Sequence, residues 1–226
     1  MPVFGPIYCE TLRFAGFFPA EPVNTFSNFA ILFGIAAFFL VAKRAPRAFD
    51  LYVLSALLLA NGAGSFLWHG TRTAWALTAD VWPGLIFLLA LMFFWARRLL
   101  PVWQAAALLA GFYVLSQFLR NVDFIPYGRW ASMAPAVLLF GGWLVARTAA
   151  HSREAAFLGT ASIASALLAL FFRTVDQAAC AYISFGTHFL WHILLSGAAF
   201  LGIRMLVILT VCGTAPRKTA VQAAAE

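Results

Sequence analysis

The chain has 226 residues, of which 63% are hydrophobic and only 10% are charged, and its mean hydropathy is +0.88. This composition excludes an ordinary water-soluble domain and indicates that the lipid bilayer is the protein's solvent. The formal net charge is +7. Because the basic residues cluster at the ends of apolar stretches, they indicate membrane topology and contact with anionic lipid rather than nucleic-acid binding.

Seven apolar stretches follow one another along the chain, each near the length of roughly 20 residues that a helix needs to cross a bilayer. Lipid offers no hydrogen-bond partners for exposed backbone groups, and the sequence lacks the alternating strand pattern that forms barrels. We therefore predict an all-α, polytopic membrane protein with seven transmembrane helices in one domain, residues 1–215. Residues 216–226 are expected to form a short, disordered cytoplasmic tail. The stretches lie at 23–42, 50–69, 78–96, 101–119, 130–147, 154–172 and 187–209.

The distribution of Lys and Arg predicts the orientation of this bundle. Ten of the 15 basic residues fall on the side that holds the first, third and fifth loops and the C-terminal end. Under the positive-inside rule, the N-terminus then lies outside and the C-terminus in the cytoplasm. We expect an integral, multi-pass membrane protein, in the bacterial inner membrane if the source is Gram-negative. The sequence does not predict its oligomeric state.

A small set of polar side chains lies within the apolar stretches, where charged and imidazole groups are costly and indicate function by default. Ser65 and His69 lie four residues apart at the end of the second stretch, on one helix face. His188 and His192 have the same spacing at the start of the seventh stretch. Both of these ends are predicted to lie outside, as is Asp80 at the start of the third. The sequence therefore predicts a polar cluster near the extracytoplasmic face.

Two imidazoles one turn apart can bind one metal ion when a third ligand comes from elsewhere, and His69 is the natural third. The alternative for any single histidine is an interhelical hydrogen bond, and Ser65 alone could be a small packing residue. Three imidazoles without a thiolate favour zinc, and three protein ligands leave a fourth position for water. Asp80 could then accept and relay a proton, and Ser65 could donate to the oxyanion formed when hydroxide attacks a carbonyl.

These residues, in this order, resemble the alkaline ceramidases. That family of seven-helix membrane hydrolases belongs to a superfamily that includes the adiponectin-type receptors. Cys9-Glu10, followed by EPVNTFSN from Glu21, is similar to the family's Cys-Glu and Glu-x-x-Asn-Thr-x-Ser-Asn pattern. The segments FRTVDQAAC and GTHFLWH resemble its bacterial branch. The similarity extends from Cys9 to about Gly197.

The resemblance implies zinc on His69, His188 and His192, with Ser65 and Asp80 beside the zinc-bound water. It also implies hydrolysis of the amide of ceramide or a related N-acyl lipid, which releases a sphingoid base or amine and a free fatty acid. The partner is then a membrane lipid. Arg72, just beyond the second stretch, would contact a fatty carboxylate or headgroup, or would be an interfacial residue that reaches for water.

The eukaryotic branch of the family also binds calcium in its N-terminal segment. Two of the calcium-binding positions there are occupied in this chain by Ile7 and Leu12. Calcium takes six to eight oxygen ligands, and the alternative is that the remaining acids are solvated. Oxygens could still come from Glu10, Glu21 and the carbonyl of Tyr8.

The resemblance further implies a disulfide between Cys9 and Cys180, which forms only if that face is oxidising. Cys212, at the predicted cytoplasmic end, is expected to remain a free thiol.

Three other functions compete with a lipid amidase. The first is a receptor or sensor of the same fold, with a structural or weakly hydrolytic zinc site. The second is a haem protein, although axial ligands normally come from two helices on opposite sides of the porphyrin, whereas His188 and His192 share one. The third is a membrane serine protease that uses Ser65, which leaves two of the three histidines unexplained.

Overall fold

The structure is a computed structural model that describes residues 5–13, 18–121 and 133–214. The described residues contain helices and no strands, which agrees with the predicted all-α class. In chain order the elements are α1 (Cys9–Arg13), α2 (Pro22–Phe26), α3 (Ala30–Arg44), α4 (Phe49–Thr71), α5 (Ala74–Leu99), α6 (Val102–Arg120), α7 (Met133–Ala136), a π-helical turn (Val137–Gly141), α8 (Gly142–Ala149), α9 (Arg153–Ala179) and α10 (His188–Thr214).

Within the described residues, six helical segments are long and apolar enough to cross a membrane. A seventh apolar segment, Met133–Ala149, is shorter. It corresponds to the predicted span at 130–147, whose first residues lie outside the described part of the chain, as does the predicted tail at 216–226. The six segments are Pro22–Arg44, Phe49–Thr71, Ala74–Leu99, Val102–Arg120, Arg153–Ala179 and His188–Cys212.

Charged side chains mark where several of these helices begin or end. Lys43 and Arg44 occupy the last turn of α3, and Arg97 and Arg98 occupy the last turn of α5. Cations at a helix C-terminus interact favourably with the unpaired carbonyl groups there.

At the start of α9, Ser152 caps the helix by accepting a hydrogen bond from the backbone N–H of Ala155 at 3.1 Å. This side-chain cap satisfies a backbone donor that would otherwise lack a helical partner.

Two glycines of α4 allow it to pack closely against both neighbouring helices. A Cβ atom on Gly62 would lie 2.7 Å from the backbone N of Ile31 in α3. A Cβ atom on Gly64 would lie 2.0 Å from the carbonyl oxygen of Ala79 in α5. Small residues at such crossings let membrane helices approach each other's backbone. The Gly64 contact fixes the C-terminal half of α4, which carries Ser65 and His69, beside the start of α5, which carries Asp80.

The interior of the bundle changes in character along its length. Fully buried apolar side chains fill the middle and one end of the bundle, and include Leu51, Leu54, Ile203, Met205 and Leu206. Large apolar side chains such as Phe39, Trp103 and Phe157 are exposed on the helix surfaces, as expected where lipid is the solvent. At the other end, where α4 ends and α10 begins, most of the buried side chains are polar. This second end holds the candidate site.

Candidate metal centre

The three predicted histidines meet at the polar end of the bundle. His69 lies in the last turn of α4, and His188 and His192 lie in the first two turns of α10. Their relative exposures are 1%, 1% and 6%. One nitrogen from each ring lies within 4.8 Å of one nitrogen of each of the other two. The cluster expected from helical spacing is therefore present, and its nitrogens are close enough together to bind one metal ion.

Two of the three rings have their Nδ1 atoms held by neighbouring oxygens. The Nδ1 of His69 is hydrogen-bonded to the carboxylate of Glu21, and the Nδ1 of His192 lies 2.9 Å from the hydroxyl oxygen of Ser27. When Glu21 is ionised it can only accept, and His69 then carries its proton on Nδ1 and keeps the lone pair of Nε2 for a metal ion. Metal-binding histidines usually donate the N–H of their second ring nitrogen to such an oxygen, which fixes the orientation of the ring and its tautomer. A set of imidazole nitrogens with no thiolate fits zinc.

The third ring, that of His188, is held by an aromatic contact and by its own backbone. Tyr8 stacks on it, with ring centroids 3.9 Å apart and planes inclined by 23°. The backbone N–H of His188 donates to the carboxylate of Asp176 at 2.9 Å. The guanidinium of Arg173 lies 3.4 Å from the ring nitrogens of His188. These contacts come from α9 and from the N-terminal segment, so the position of His188 depends on both.

Ser65 and Asp80 also come together across the interface between α4 and α5. Ser65 is buried, and its hydroxyl is within hydrogen-bonding reach of the Asp80 carboxyl group. The amide of Asn61, one turn earlier on α4, donates to the backbone carbonyl of Asp80 at 2.7 Å. The i,i+4 spacing puts Ser65 on the same face of α4 as His69. The predicted serine and carboxylate are therefore paired beside the helix face that carries one of the three histidines.

Glu21 combines three hydrogen bonds with an ion pair at this end of the bundle. Besides His69, it accepts a hydrogen bond from the hydroxyl of Thr11 and one from the amide of Asn24 at 3.3 Å. The guanidinium of Arg72 lies 3.1 Å from the Oε1 atom of Glu21. Burial raises the pKa of Glu21 above its ordinary value, against the opposing effect of Arg72 and of the hydrogen bonds from Thr11 and Asn24. The sequence offered Glu21 as a possible calcium ligand, which stays a prediction; the structure adds that Glu21 is the partner of His69.

The side chain of Arg72 turns towards the protein rather than towards water. Arg72 ends α4 with a φ of 54°, a left-handed conformation that is uncommon outside glycine. Its side chain is 11% exposed, it pairs with Glu21, and its guanidinium lies 4.0 Å from the ring centroid of Trp68. The ion pair and the cation–π contact hold Arg72 in this conformation. Its role as a contact for a carboxylate or headgroup remains a prediction.

The residues of the predicted calcium site lie together beside α2. Both carboxylate oxygens of Glu10 accept backbone N–H groups of α2, from Val23 at 2.9 Å and Asn24 at 2.8 Å. The carbonyl of Tyr8 accepts from the backbone N–H of Thr11 at 3.2 Å. The buried Oδ1 of Asn24 has no hydrogen-bond partner among the described residues, so one oxygen there is left for a cation. Calcium binding stays a prediction.

The predicted disulfide is present. Cys9 and Cys180 are bonded, with their Cα atoms 5.4 Å apart, and Cys212 is a free, exposed cysteine. The bridge joins the N-terminal segment to the residue that follows α9. It thus connects two parts of the chain that both contact the histidine cluster.

Sequence reasoning did not identify Asp176, Ser27 or Tyr8 as contributors to the ordering of the site. Asp176 accepts backbone N–H groups from Cys9, Thr187 and His188. Asp176 lies beyond the predicted apolar stretch 154–172, so the criterion that selected Asp80 did not reach it, although α9 extends to Ala179. Ser27 gives no comparable signal, because a serine next to a helix is common and only its position in three dimensions shows that it contacts His192.

The fold and the site together define a multi-pass helical membrane protein with a buried three-histidine cluster that suits a metal ion. The sequence model of the ceramidase family matches residues 8–225, and the chain therefore belongs to the ceramidase family. Membership implies a hydrolase that acts on amide bonds. A comparison with curated proteins finds no match.

Proposed function

We propose that the protein is a zinc-dependent intramembrane amidase that hydrolyses ceramide or a related N-acyl lipid. The products are a sphingoid base, or another amine, and a free fatty acid. The observation that supports this best is the buried cluster of His69, His188 and His192, in which Glu21 holds the Nδ1 of His69 and Ser27 holds the Nδ1 of His192. Family membership supplies the reaction class, and the cluster with its ordered surroundings supplies a place where that reaction could occur.

The three histidines would hold zinc through the ring nitrogens that face one another. When bound there, zinc supplies a Lewis acid that polarises the amide carbonyl and makes water nucleophilic at neutral pH. The task of Glu21 and Ser27 is to fix the rings of His69 and His192, so that little reorganisation is needed when the ligand set is filled. Tyr8 has the same task for His188, through stacking rather than a hydrogen bond.

Asp80 would manage the proton during hydrolysis. Water adds its oxygen to the amide carbon, and the Asp80 carboxylate accepts one of its protons. That proton is then delivered to the amide nitrogen as the C–N bond breaks, which leaves a carboxylic acid and an amine. Ser65 would donate its hydroxyl hydrogen to the oxyanion that develops on the carbonyl oxygen, in exchange for its contact with Asp80.

We further propose a seven-helix topology in which Met133–Ala149 is part of the fifth span. The basic ends of α3 and α5 lie opposite the histidine end of α4, which supports a cytoplasmic C-terminus and a site towards the extracytoplasmic face. A site among membrane-spanning helices suits a two-chain lipid, because such a lipid is scarcely soluble in water. The bacterial branch of the family and a bacterial inner membrane are part of this proposal.

The experiment combines metal analysis with a panel of N-acyl lipids. Purified protein is expected to carry about one zinc ion per chain, to lose it in His69→Ala, and to release fatty acid from at least one ceramide or N-acyl lipid. His151→Ala is the matched control, because His151 is exposed in a loop and its ring contacts the carbonyl of Arg147, away from the three-histidine cluster. Zinc-loaded protein that cleaves no lipid in the panel would rule out the amidase. A Soret band in the absorption spectrum would show that the histidines bind haem, and it would rule out the zinc proposal.

A further inference from the structure

A short N-terminal strap, residues 5–11, lies against the histidine end of the bundle. Four consecutive residues of this strap, from Tyr8 to Thr11, connect it to the rest of the site. Three of them lead to the histidines, and the fourth forms a covalent bond. Tyr8, Glu10 and Thr11 each lead to a different histidine, and Cys9 forms the disulfide. The covalent anchor thus lies in the middle of the residues that make these connections.

The first connection is direct. The ring of Tyr8 stacks on His188 and also contacts His69, with centroids 3.9 Å and 5.2 Å away. Tyr8 itself is 6% exposed. Its ring therefore covers one side of the pair formed by His69 and His188, and displacement of the strap would expose that side of the cluster.

The second connection runs through one side chain. Thr11 donates its hydroxyl hydrogen to Glu21, and Glu21 accepts the Nδ1 hydrogen of His69. Thr11 also accepts the backbone N–H of Tyr8 at 2.9 Å, which holds the turn of the strap together. A carboxylate that must face His69 is thus kept in place by a donor from the strap.

The third connection runs through helix α2. Glu10 accepts two backbone N–H groups in the first turn of α2 and so caps its N-terminus. Ser27 follows the last residue of α2 and donates its backbone N–H to the carbonyl of Val23, and its hydroxyl oxygen lies 2.9 Å from the Nδ1 of His192. A helix of this length is not stable alone, so its orientation depends on the cap that Glu10 provides.

The anchor of the strap is the Cys9–Cys180 disulfide. The backbone N–H groups of Cys9, Thr187 and His188 all donate to Asp176, between 2.8 and 3.3 Å. A Cβ atom on Gly186, whose φ is +69°, would lie 2.6 Å from the sulfur of Cys9, so the strap and the start of α10 are in close contact here. The bridge is the one covalent bond that holds the strap beside α9 and α10.

We propose that the Cys9–Cys180 disulfide controls how tightly the three-histidine site retains its metal ion. The intact bridge keeps Tyr8, Glu10 and Thr11 in contact with the groups that orient the imidazoles. Reduction releases the strap, and the site then holds zinc about 10- to 100-fold more weakly, the usual effect of losing the partners that orient metal-binding histidines. This inference rests on the proposed zinc site. It makes the protein sensitive to the redox state of the compartment that the site faces.

Thermodynamic linkage makes the relationship reciprocal. If the disulfide strengthens zinc binding by a given factor, zinc must oppose reduction of the disulfide by the same factor at equilibrium. Reduction by a phosphine consumes one water molecule. The phosphorus is oxidised to a phosphine oxide, its electron pair breaks the S–S bond, and Cys9 and Cys180 each gain a hydrogen. Both directions of the linkage can therefore be measured on the same preparation.

The test uses full-length, zinc-loaded protein in detergent, before and after reduction with a water-soluble phosphine. Zinc affinity is measured by competition with a chromogenic chelator, and far-ultraviolet circular dichroism checks that the helices remain. The expected result is about 10- to 100-fold weaker zinc binding after reduction, with recovery on reoxidation. The double variant Cys9→Ser/Cys180→Ser should show the weaker affinity without reductant and no further response to phosphine. Cys212→Ser should behave like the parent chain.

The reverse measurement follows the fraction of reduced protein in thiol–disulfide buffers of increasing strength. Zinc should shift the midpoint towards stronger reductants, and the shift should disappear in His69→Ala. Unchanged zinc affinity after complete reduction, with the helices intact, would overturn the redox coupling and leave the zinc site standing. Oxidised protein that binds no zinc would instead overturn the zinc site itself.

Discussion

The Nδ1 of His69 is hydrogen-bonded to the carboxylate of Glu21, which lies 48 residues earlier in the chain. The two residues also meet through their backbones, because the N–H of Glu21 donates to the carbonyl of His69 at 3.0 Å. This double contact attaches the segment before α2 to the end of α4. Glu21 therefore connects both Thr11 and Arg72 to His69, the candidate metal ligand.

Glu21→Gln is expected to weaken zinc binding about 10- to 100-fold without unfolding the bundle. The neutral amide is a weaker acceptor for the His69 Nδ1 hydrogen, and it loses the ion pair with Arg72. The measurement is zinc affinity by chelator competition. Glu154→Gln is the matched control, because Glu154 is exposed in the first turn of α9, and it should leave zinc affinity unchanged.

Asp80→Asn is expected to retain zinc and lower the rate of lipid hydrolysis about 10²- to 10⁴-fold, the usual contribution of a general acid–base group. The amide is close to the carboxylate in shape but cannot carry the proton between water and the leaving nitrogen. Turnover and zinc content should be measured on the same sample. The control is Asp50→Asn. Asp50 lies in the first turn of α4 and pairs with Arg98, and its replacement should lower turnover far less. Equal losses in the two variants would exclude a proton-transfer role for Asp80.

Gly64→Ala is expected to destabilise the protein by about 1–3 kcal/mol, because its Cβ atom would lie 2.0 Å from the Ala79 carbonyl oxygen. The helices must separate at the point that positions Ser65 beside Asp80, so activity should fall as well. Gly142→Ala is the control: a Cβ atom there has nothing within 4 Å. It should stabilise α8 by about 0.5–1 kcal/mol. Thermal unfolding of both variants in detergent distinguishes crowding at the α4–α5 contact from a general effect of replacing glycine.

Thr11→Val tests the strap without touching the disulfide. Valine keeps the shape of the side chain but removes the donor to Glu21 and the acceptor for the Tyr8 N–H. We expect several-fold weaker zinc binding, and we expect Thr11→Ser to restore most of it because serine keeps the hydroxyl. If the valine and serine variants bind zinc equally well, the Thr11 hydroxyl does not help to position His69.

The sequence by itself determined the helical class, the approximate positions of the membrane-spanning helices and the three histidines. The apolar composition indicates that the bilayer surrounds the helices. Because a helix repeats every 3.6 residues, the four-residue spacing of His188 and His192 places both side chains on one face of their helix, independently of how the other helices pack. The placement of His69 at the same end as His188 and His192 was predicted by counting seven spans; six segments of the described residues are long enough to cross a membrane, and the count of seven stays a prediction.

Only the tertiary structure decided what surrounds those histidines. Ser27 and His192 are separated by 165 residues, and Cys9 and Asp176 by 167. Contacts of that kind depend on how helices pack and on where a short segment crosses the end of the bundle, neither of which has a local period. The turn of Arg72 towards Glu21 also depends on neighbours that its own segment does not contain. Local geometry therefore determined which side chains are candidate metal ligands, whereas long-range packing determined which groups hold those side chains in place.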